Sequence, residues 1–233
     1  MIDFHSHILP YMDDGAQDVE MSAKMLELSK QQGVNTIVAT PHYYARKGTV
    51  AEFLLKREES FNKLKEYIAK NNLDVPEIVL GAEVAFSEEI LSLDIKKLCI
   101  EGTNFVLLEL PFSYFNQWIY DEIYNMSMKN EVDFILAHIE RYVGNKNDFS
   151  AIKPFFDLDM LIQVNADTFI DKHSKKIIQT LLKKYRIDLI GSDAHNLEKR
   201  VSNMDKAMKI IKKKYGENTL NKIMGNAKKI LDK

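Results

Sequence analysis

Residues 2–7 read Ile-Asp-Phe-His-Ser-His, so a short apolar run passes directly into two histidines. The same arrangement recurs along the chain, where each apolar, β-branched run ends at or beside a histidine or a carboxylate. The runs are Ile2–Phe4, Thr36–Thr40, Ile78–Val84, Phe105–Leu110, Phe134–Ala137 and Ile187–Ile190. The side chains at their ends are His5 and His7, His42, Glu83, Glu109, His138, Asp193 and His195.

A stretch with helical periodicity follows nearly every run, which predicts parallel strands joined by helical crossovers. Helices are expected up to Gly33, over Phe53–Asn71, from Asn116 through Met128 and from Ser174 through Tyr185, with two more in the tail. Leu161–Val164 adds a seventh strand. We therefore expect an α/β fold, a distorted seven-stranded (β/α)7 TIM-like barrel, as a single domain over residues 1–233. The ligand-type side chains would then meet at one mouth of the barrel, where the carboxyl ends of the strands lie.

The composition, 45% hydrophobic and 28% charged, is ordinary for a globular protein. We see neither a charged leader nor an apolar run long enough for a membrane helix, so we expect a cytoplasmic protein without a membrane span. Basic residues concentrate after His195, which leaves the preceding chain acidic and argues against nucleic-acid binding. That basic tail is either the solvated face of terminal helices or a docking surface for an acidic partner.

Each ligand-type residue has a plain structural interpretation when it is taken alone. A histidine at a strand end can be a hydrogen-bonded core residue, and a carboxylate there can cap the next helix. The repetition at strand after strand favours a shared metal centre instead. Five of the six histidines occupy such positions, and we interpret the sixth, His173, as a surface residue. With one cysteine, Cys99, the chain has no thiolate metal site and no disulfide framework.

Longer strings around these residues resemble a known group of enzymes. They are His5–Gly15, Ala39-Thr40-Pro41-His42-Tyr43, Gly81-Ala82-Glu83-Val84 and Ser192-Asp193-Ala194-His195-Asn196. With Glu109 and His138, they are similar to the polymerase and histidinol phosphatase (PHP) superfamily, and to its bacterial capsule-type protein tyrosine phosphatases in particular. One motif departs from that group, because His138-Ile139-Glu140-Arg141 stands where H-P-E-R is usual. The missing proline could relax the turn that aims Arg141.

The resemblance implies three bound ions, with manganese as the expected metal. His5, His7, Glu83 and Asp193 would hold the first ion, and Glu83 would bridge to a second, which Glu109 and His138 complete. Asp14, His42 and His195 would hold the third. Imidazoles and carboxylates without sulfur also suit Fe, Zn or Co.

The resemblance also implies that Arg141 and Arg200 grip phosphate and that Asp14 and His42 take part in catalysis. Arg46 is a weaker candidate for phosphate binding. Several aromatic residues fall in loops at the predicted mouth, where they could flank a phosphotyrosine ring or simply pack beneath the loops. They are Tyr43, Tyr44, Phe112, Tyr114 and Phe115.

The expected function is a manganese-dependent protein-tyrosine-phosphatase that works through a metal-activated hydroxide. The expected substrate is a tyrosine-phosphorylated protein, in particular a bacterial tyrosine kinase that controls capsule or exopolysaccharide synthesis. A cysteine-based tyrosine phosphatase is excluded, because C-x5-R from Cys99 would need arginine where Phe105 stands. Two alternatives stay open: a histidinol phosphatase or other small-molecule phosphoesterase, and a non-catalytic metal-binding accessory module.

Overall fold

The computed structural model describes residues 1–111, 117–158 and 160–232. The predicted mouth aromatics Phe112, Tyr114 and Phe115 and the predicted helix cap Asn116 lie outside these ranges. Within them the chain forms nine strand segments and seven α-helices. The strands are β1 (Ile2–Ser6), β2 (Thr36–Ala39), β3 (His42–Tyr43), β4 (Glu77–Leu80), β5 (Glu83–Ala85), β6 (Phe105–Glu109), β7 (Asp133–Leu136), β8 (Leu161–Asn165) and β9 (Leu189–Gly191). The helices are α1 (Val19–Gln31), α2 (Val50–Asn71), α3 (Gln117–Asn130), α4 (Ala166–Ile170), α5 (Lys175–Lys184), α6 (Met204–Tyr215) and α7 (Glu217–Leu231).

All named strand pairs are parallel, in the orders β1-β2-β4 and β3-β5-β6-β7-β8-β9. The sheet curls until its first and last strands meet. Ser6 forms a parallel bridge with Ala194, and the N–H of His7 donates to the Ala194 carbonyl at 2.9 Å. The Asp193 N–H donates to the His5 carbonyl at 2.8 Å. The result is a curled, barrel-like parallel sheet, as the strand and helix alternation predicts.

Two of the predicted strands are each interrupted. The run Thr36–Thr40 ends one residue early and resumes as β3, because Pro41 has no N–H to donate to a ladder. The run Ile78–Val84 divides into β4 and β5 around Gly81, and a Cβ at this glycine would lie 3.2–3.4 Å from neighbouring side chains. Hydrogen bonds from Gly81 N to Ala39 O (2.8 Å) and from Glu83 N to Pro41 O (3.0 Å) carry the pairing across both breaks. The register therefore puts His42 directly beside Glu83.

The helix boundaries follow their capping residues. α1 ends just before Gly33, whose φ of +86° suits glycine, as predicted. α2 begins at Val50, three residues before the predicted start, because Thr49 and Glu52 form a reciprocal capping box. The Glu52 N–H donates to Thr49 Oγ1 at 3.2 Å, and the Thr49 N–H donates to Glu52 Oε2 at 2.8 Å.

A compact apolar cluster lies inside the curled sheet. Its strand members Phe4, Val38, Leu107, Ile135 and Leu189 are fully buried, and Ala227 and Ile230 of α7 pack on it. The larger core lies between the sheet and the surrounding helices. Among the described residues, no helix combines the length and apolar character that crossing a membrane requires.

Candidate metal centre

The Glu83 carboxylate lies at the centre of the site, surrounded by four imidazoles. Its Oε2 atom is 3.2 Å from His5 Nε2 and 3.1 Å from His7 Nε2. The same oxygen is 3.1 Å from His42 Nδ1, and Oε1 is 2.9 Å from His138 Nε2. Glu83 is buried, so its charge needs these partners. A carboxylate that faces several ring nitrogens with both oxygens has the arrangement of a bridging ligand.

Glu109 extends this group on one side. Its Oε1 is 3.5 Å from His138 Nε2, and its Oε2 is 3.8 Å from His42 Nδ1. On the opposite side Asp193 Oδ1 lies 3.5 Å from His7 Nε2 and 3.6 Å from His5 Nε2.

Asp14 and His195 complete the cluster at its exposed edge. Asp14 Oδ1 lies 3.5 Å from His195 Nε2 and 3.6 Å from His42 Nε2. The two rings are mostly buried, whereas the Asp14 side chain is 66% exposed. Asp14 is therefore the acidic ligand candidate that solvent reaches most easily.

Three groups can be distinguished, and within each group the potential ligand atoms lie within 4.8 Å of one another. They are His7, Asp14, His42 and His195; His5, His7 and Asp193; and His42, Glu83 and Glu109. The first and second groups share His7, and the first and third share His42. With His138 bound to Glu83, the structure brings together all nine predicted ligands, including those from the two ends of the chain.

Hydrogen bonds on the outer side of three rings leave Nε2 free as a ligand. His7 Nδ1 lies 2.7 Å from Asp13 Oδ2, His5 Nδ1 lies 3.2 Å from Gln163 Oε1, and His195 Nδ1 lies 2.9 Å from the Asp193 carbonyl. Each partner atom is an acceptor, so each Nδ1 carries the proton. Each Nε2 then points inward, as in metal sites whose histidines are oriented by outer partners.

The sequence pattern at the strand ends does not include Asp13 or Gln163. Asp13 Oδ2 also accepts the His42 N–H at 2.7 Å. Gln163 is fully buried in β8, and its Oε1 also accepts the His138 N–H at 2.8 Å. A lone amide inside an otherwise apolar strand was the available signal for Gln163. For Asp13 the signal was a second acid beside Asp14.

The site fits a cluster of divalent ions. Its donors are imidazole nitrogens and carboxylate oxygens, which suit Mn, Fe, Zn or Co. The buried atoms His42 Nδ1 and His195 Nε2 face carboxylate oxygens at 3.1 and 3.5 Å, but within the described part of the chain neither contact has the geometry of a hydrogen bond. A buried polar atom without a partner costs free energy, and a metal ion would supply the missing partner.

Burial and neighbouring charges shift the pKa values of the ionisable groups, lowering some and raising others. Burial alone would raise the pKa of Glu83, but its electrostatic interaction with the neighbouring His5 ring and the hydrogen bond from His138 hold that pKa well below its usual range. Burial likewise opposes charge on His138, but Glu109 and Glu83 raise its pKa to about 9. Burial lowers the pKa of His195 to about 3, and the charge of His7 acts in the same direction.

Two arginines converge on Asp193. Arg141 Nη2 donates to Asp193 Oδ2, and Arg200 Nη2 is 2.9 Å from both oxygens of that carboxylate. Arg200 Nη1 also lies 3.6 Å from Asp14 Oδ2. The two predicted phosphate-binding arginines therefore reach the ligand cluster. Arg46 Nε lies 2.8 Å from Glu89 Oε1 in an exposed ion pair, and Arg46 lines a cavity together with Arg141 and Arg200.

The turn that aims Arg141 is firmly held without the usual proline. His138 has a φ of +33° and precedes a short 3-10 helix over Ile139–Tyr142, within which Arg141 N donates to His138 O at 3.0 Å. Glu140 Oε1 accepts the Asn165 N–H at 3.1 Å and the Thr168 hydroxyl at 3.0 Å. These bonds fix the turn, so the departure from H-P-E-R leaves the arginine directed at Asp193.

A cavity of about 880 Å³ opens beside the ligand cluster. Arg141, Arg200, His42 and Glu109 contribute to its lining, together with apolar side chains that include Phe86 and Trp118. Among the predicted aromatics, Tyr44 lines this cavity. Tyr43 is buried and packs beneath a loop, where its hydroxyl donates to the Gly48 carbonyl at 3.3 Å.

A curled parallel sheet with imidazole and carboxylate side chains at the carboxyl ends of its strands defines a class of metal-centred α/β proteins. Within that class, the family described as capsular polysaccharide synthesis, CpsB/CapC, matches residues 1–232. The chain belongs to this family.

Curated relatives match the chain over nearly its whole length. The tyrosine-protein phosphatase CpsB of Streptococcus pneumoniae is 32% identical and covers 99% of this chain and 98% of its own. The tyrosine-protein phosphatase YwqE of Bacillus subtilis is 28% identical, over 99% and 91% respectively. YwqE of B. subtilis and CpsB of S. pneumoniae have been solved as unique metal-dependent tyrosine phosphatases. One chain from these structures superposes on this chain with a TM-score of 0.84. It is 26% identical and covers 100% of this chain and 94% of its own.

Proposed function

We propose that this chain is a metal-dependent protein-tyrosine-phosphatase. The observation that carries the proposal is the meeting of nine imidazole and carboxylate side chains with two arginines beside an open cavity. The relatives named as tyrosine-protein phosphatases support the same activity, since they match over nearly the whole chain.

The proposed ligands are the nine residues predicted from the sequence, with manganese as the proposed ion and three ions as the proposed number. His5, His7, Glu83, Glu109, His138 and Asp193 would hold two ions, with Glu83 between them. Asp14, His42 and His195 would hold the third, and the position of His7 allows it to contribute there as well. When bound, such ions lower the pKa of water and supply hydroxide near neutral pH.

Arg141 and Arg200 would hold the phosphate. Each guanidinium group donates to the Asp193 carboxylate through Nη2, so each already directs a charged donor to an anion at this place. Their charges would stabilise the negative charge that develops on the phosphoryl oxygens. Tyrosine leaves as a phenolate, a good leaving group with a pKa of about 10, so no strong acid is required.

The biological setting follows as part of the same proposal. The partner would be a tyrosine-phosphorylated protein, in particular a bacterial tyrosine kinase that regulates capsule or exopolysaccharide synthesis. The family's description supports the connection with capsular polysaccharide. A cytoplasmic location and a single domain over residues 1–233 stay predictions. We also propose that each interrupted pair, β2 with β3 and β4 with β5, counts as one strand of a seven-stranded distorted barrel.

The deciding experiment is phosphate release from a phosphotyrosine peptide by metal-stripped protein. Release that requires added Mn²⁺ and stops with chelator would support the proposal. Histidinol phosphate, assayed in parallel, tests the small-molecule alternative. A protein that binds metal but hydrolyses neither substrate with any added ion would refute the proposal and favour an accessory metal-binding module.

A further inference from the structure

We infer that Phe86 and Trp118 form an aryl-binding wall in the cavity and select aromatic phosphate monoesters. We call these two residues the aryl wall. The inference rests on the proposed function and deepens it, because it assigns the recognition of the organic part of the substrate to residues of the described chain.

The lining of the cavity combines two chemistries. Arg141 and Arg200 supply cationic donors beside the ligand cluster, whereas the aryl wall supplies flat apolar surface in the same cavity. A phosphorylated tyrosine has the same division, with a dianionic phosphate joined directly to a rigid ring. A phosphorylated serine would place only a methylene group at the apolar surface, and inorganic phosphate would place nothing there.

The aryl wall is anchored to the metal centre. The Phe86 N–H donates to the Glu109 carbonyl at 2.7 Å, which fixes the wall relative to a predicted ligand. The Phe86 ring is 8% exposed and meets Trp118 edge to face, with centroids 6.0 Å apart and planes at 74°. This is a favoured arrangement for aromatic pairs, so Phe86 supports the indole in a defined orientation.

Trp118 remains partly uncovered although it is the largest apolar side chain near the site. It is 39% exposed at the start of α3. Tryptophan is enriched among residues that dominate binding, because its rigid ring buries a large area at little entropic cost. A substrate ring that packs against the indole would bury this surface.

The single tryptophan of the chain makes the inference testable without turnover. Full-length protein is titrated with a non-hydrolysable phosphonate analogue of phosphotyrosine, and separately with inorganic phosphate, while tryptophan fluorescence is recorded. The analogue should give a saturable change, and inorganic phosphate should give little. Equal changes from both, or no change from the analogue, would overturn the inference.

Kinetics with the metal-loaded enzyme supply a second test. In Trp118→Ala, the KM for a phosphotyrosine peptide should rise about tenfold with kcat nearly unchanged, because an aromatic contact is worth roughly that factor. The inhibition constant of inorganic phosphate should stay within about twofold, because inorganic phosphate has no ring to pack against Trp118. Trp118→Phe should retain most of the wild-type affinity.

Tyr124→Ala is the matched control, since this aromatic residue lies on the same helix, is 56% exposed and is absent from the cavity lining. Tyr124→Ala should leave the KM for the peptide and the inhibition constant of inorganic phosphate unchanged. A parallel rise in the peptide KM and the phosphate inhibition constant of Trp118→Ala would indicate a merely structural role and reject the aryl wall. So would an unchanged peptide KM. Failure of the wild-type protein to hydrolyse any phosphoester would instead reject the proposed function, and the fluorescence titration would still decide whether the wall binds an aryl ligand.

Discussion

Nδ1 of His7 lies 2.7 Å from Oδ2 of Asp13, and that same oxygen accepts the backbone N–H of His42 at 2.7 Å. One carboxylate therefore positions two predicted metal ligands that come from different strand ends. Asp13 is itself fixed, because its Oδ1 accepts the Gly15 N–H at 2.9 Å. The bond to His7 holds the proton on Nδ1 and leaves Nε2 for a metal.

Asp13→Asn should weaken metal binding by about 10–100-fold, the usual effect of removing an outer carboxylate from a ligating histidine. Competition with a chromophoric chelator measures the affinity. Asp18→Asn is the matched control, because Asp18 caps α1 by accepting the Met21 N–H at 2.7 Å and asparagine caps nearly as well. An affinity as high in Asp13→Asn as in this control would show that Asp13 does not support the site.

Gly191→Ala should destabilise the protein by about 1–3 kcal/mol, the range for overpacked sites, and should also weaken metal binding. A Cβ at Gly191 would lie 2.4 Å from the Cβ of His5 and 2.9 Å from its backbone nitrogen, so β1 or β9 must shift. Urea unfolding measures the change in the free energy of unfolding. Gly225→Ala in α7 has no atom within 4 Å of the new Cβ and should be neutral or slightly stabilising. Equal stability of the two variants would contradict the close approach of β9 to His5.

Arg141→Ala and Arg200→Ala should each lower kcat/KM for a phosphotyrosine peptide by about tenfold or more, because each removes a charged donor from the developing phosphoryl charge. Lysine at either position should restore the activity only in part, since it lacks the planar fork. Arg46→Ala provides the comparison, because Arg46 is exposed and bound to Glu89. Its kcat/KM for the same peptide should stay within about twofold of the wild-type value. Near-normal turnover in both Arg141→Ala and Arg200→Ala would rule out their proposed role.

Metal binding at pH 7.5 should release protons, because a protonated histidine must lose its proton to become a ligand. Burial opposes charge on His7 and His138, but the acidic neighbours of each raise its pKa, to about 9 for His138, so both rings are protonated in the metal-free protein. Burial lowers the pKa of His42 and of His195, so these rings are already neutral and release nothing. Because protons compete with the metal, affinity should fall as pH falls below about 9, and release from His138 should vanish above that pH.

Calorimetric titration in buffers of different ionisation enthalpy, at pH 7.5 and again above pH 9, measures this proton release. The binding heat at pH 7.5 should vary with the buffer, and the variation should shrink at the higher pH. Binding heats that are the same in every buffer at pH 7.5 would contradict the raised pKa values of His7 and His138.

The convergence of the ligands could be predicted because it depends on a short-range pattern. His138 follows an apolar run, and parallel strands bring such positions to one edge, whatever their separation in sequence. The break after Ala39 has a signal in the sequence, because Pro41 cannot donate to a ladder. The break after Leu80 has a weaker signal, because Gly81 and Ala82 continue the apolar run that begins at Ile78.

The partners that orient the ligands could not be predicted for a different reason. The bond between Gln163 and His5 joins residues 158 apart, and its existence depends on how the sheet curls. The periodicity of the sequence does not predict such a contact. The pairing of Phe86 with Trp118 could not be predicted either, because the two residues follow different strands and meet only in the folded chain.

The contact between the first and last strands also determines how much of the chain must be synthesised before all the proposed ligands can meet. The Ser192 N–H donates to Asp3 Oδ1 at 2.7 Å across a separation of 189 residues. A chain still emerging from the ribosome already exposes His5 and His7, yet it lacks Asp193, His195 and the strand that closes against them. The full set of proposed donors is therefore available only in molecules whose synthesis has passed His195.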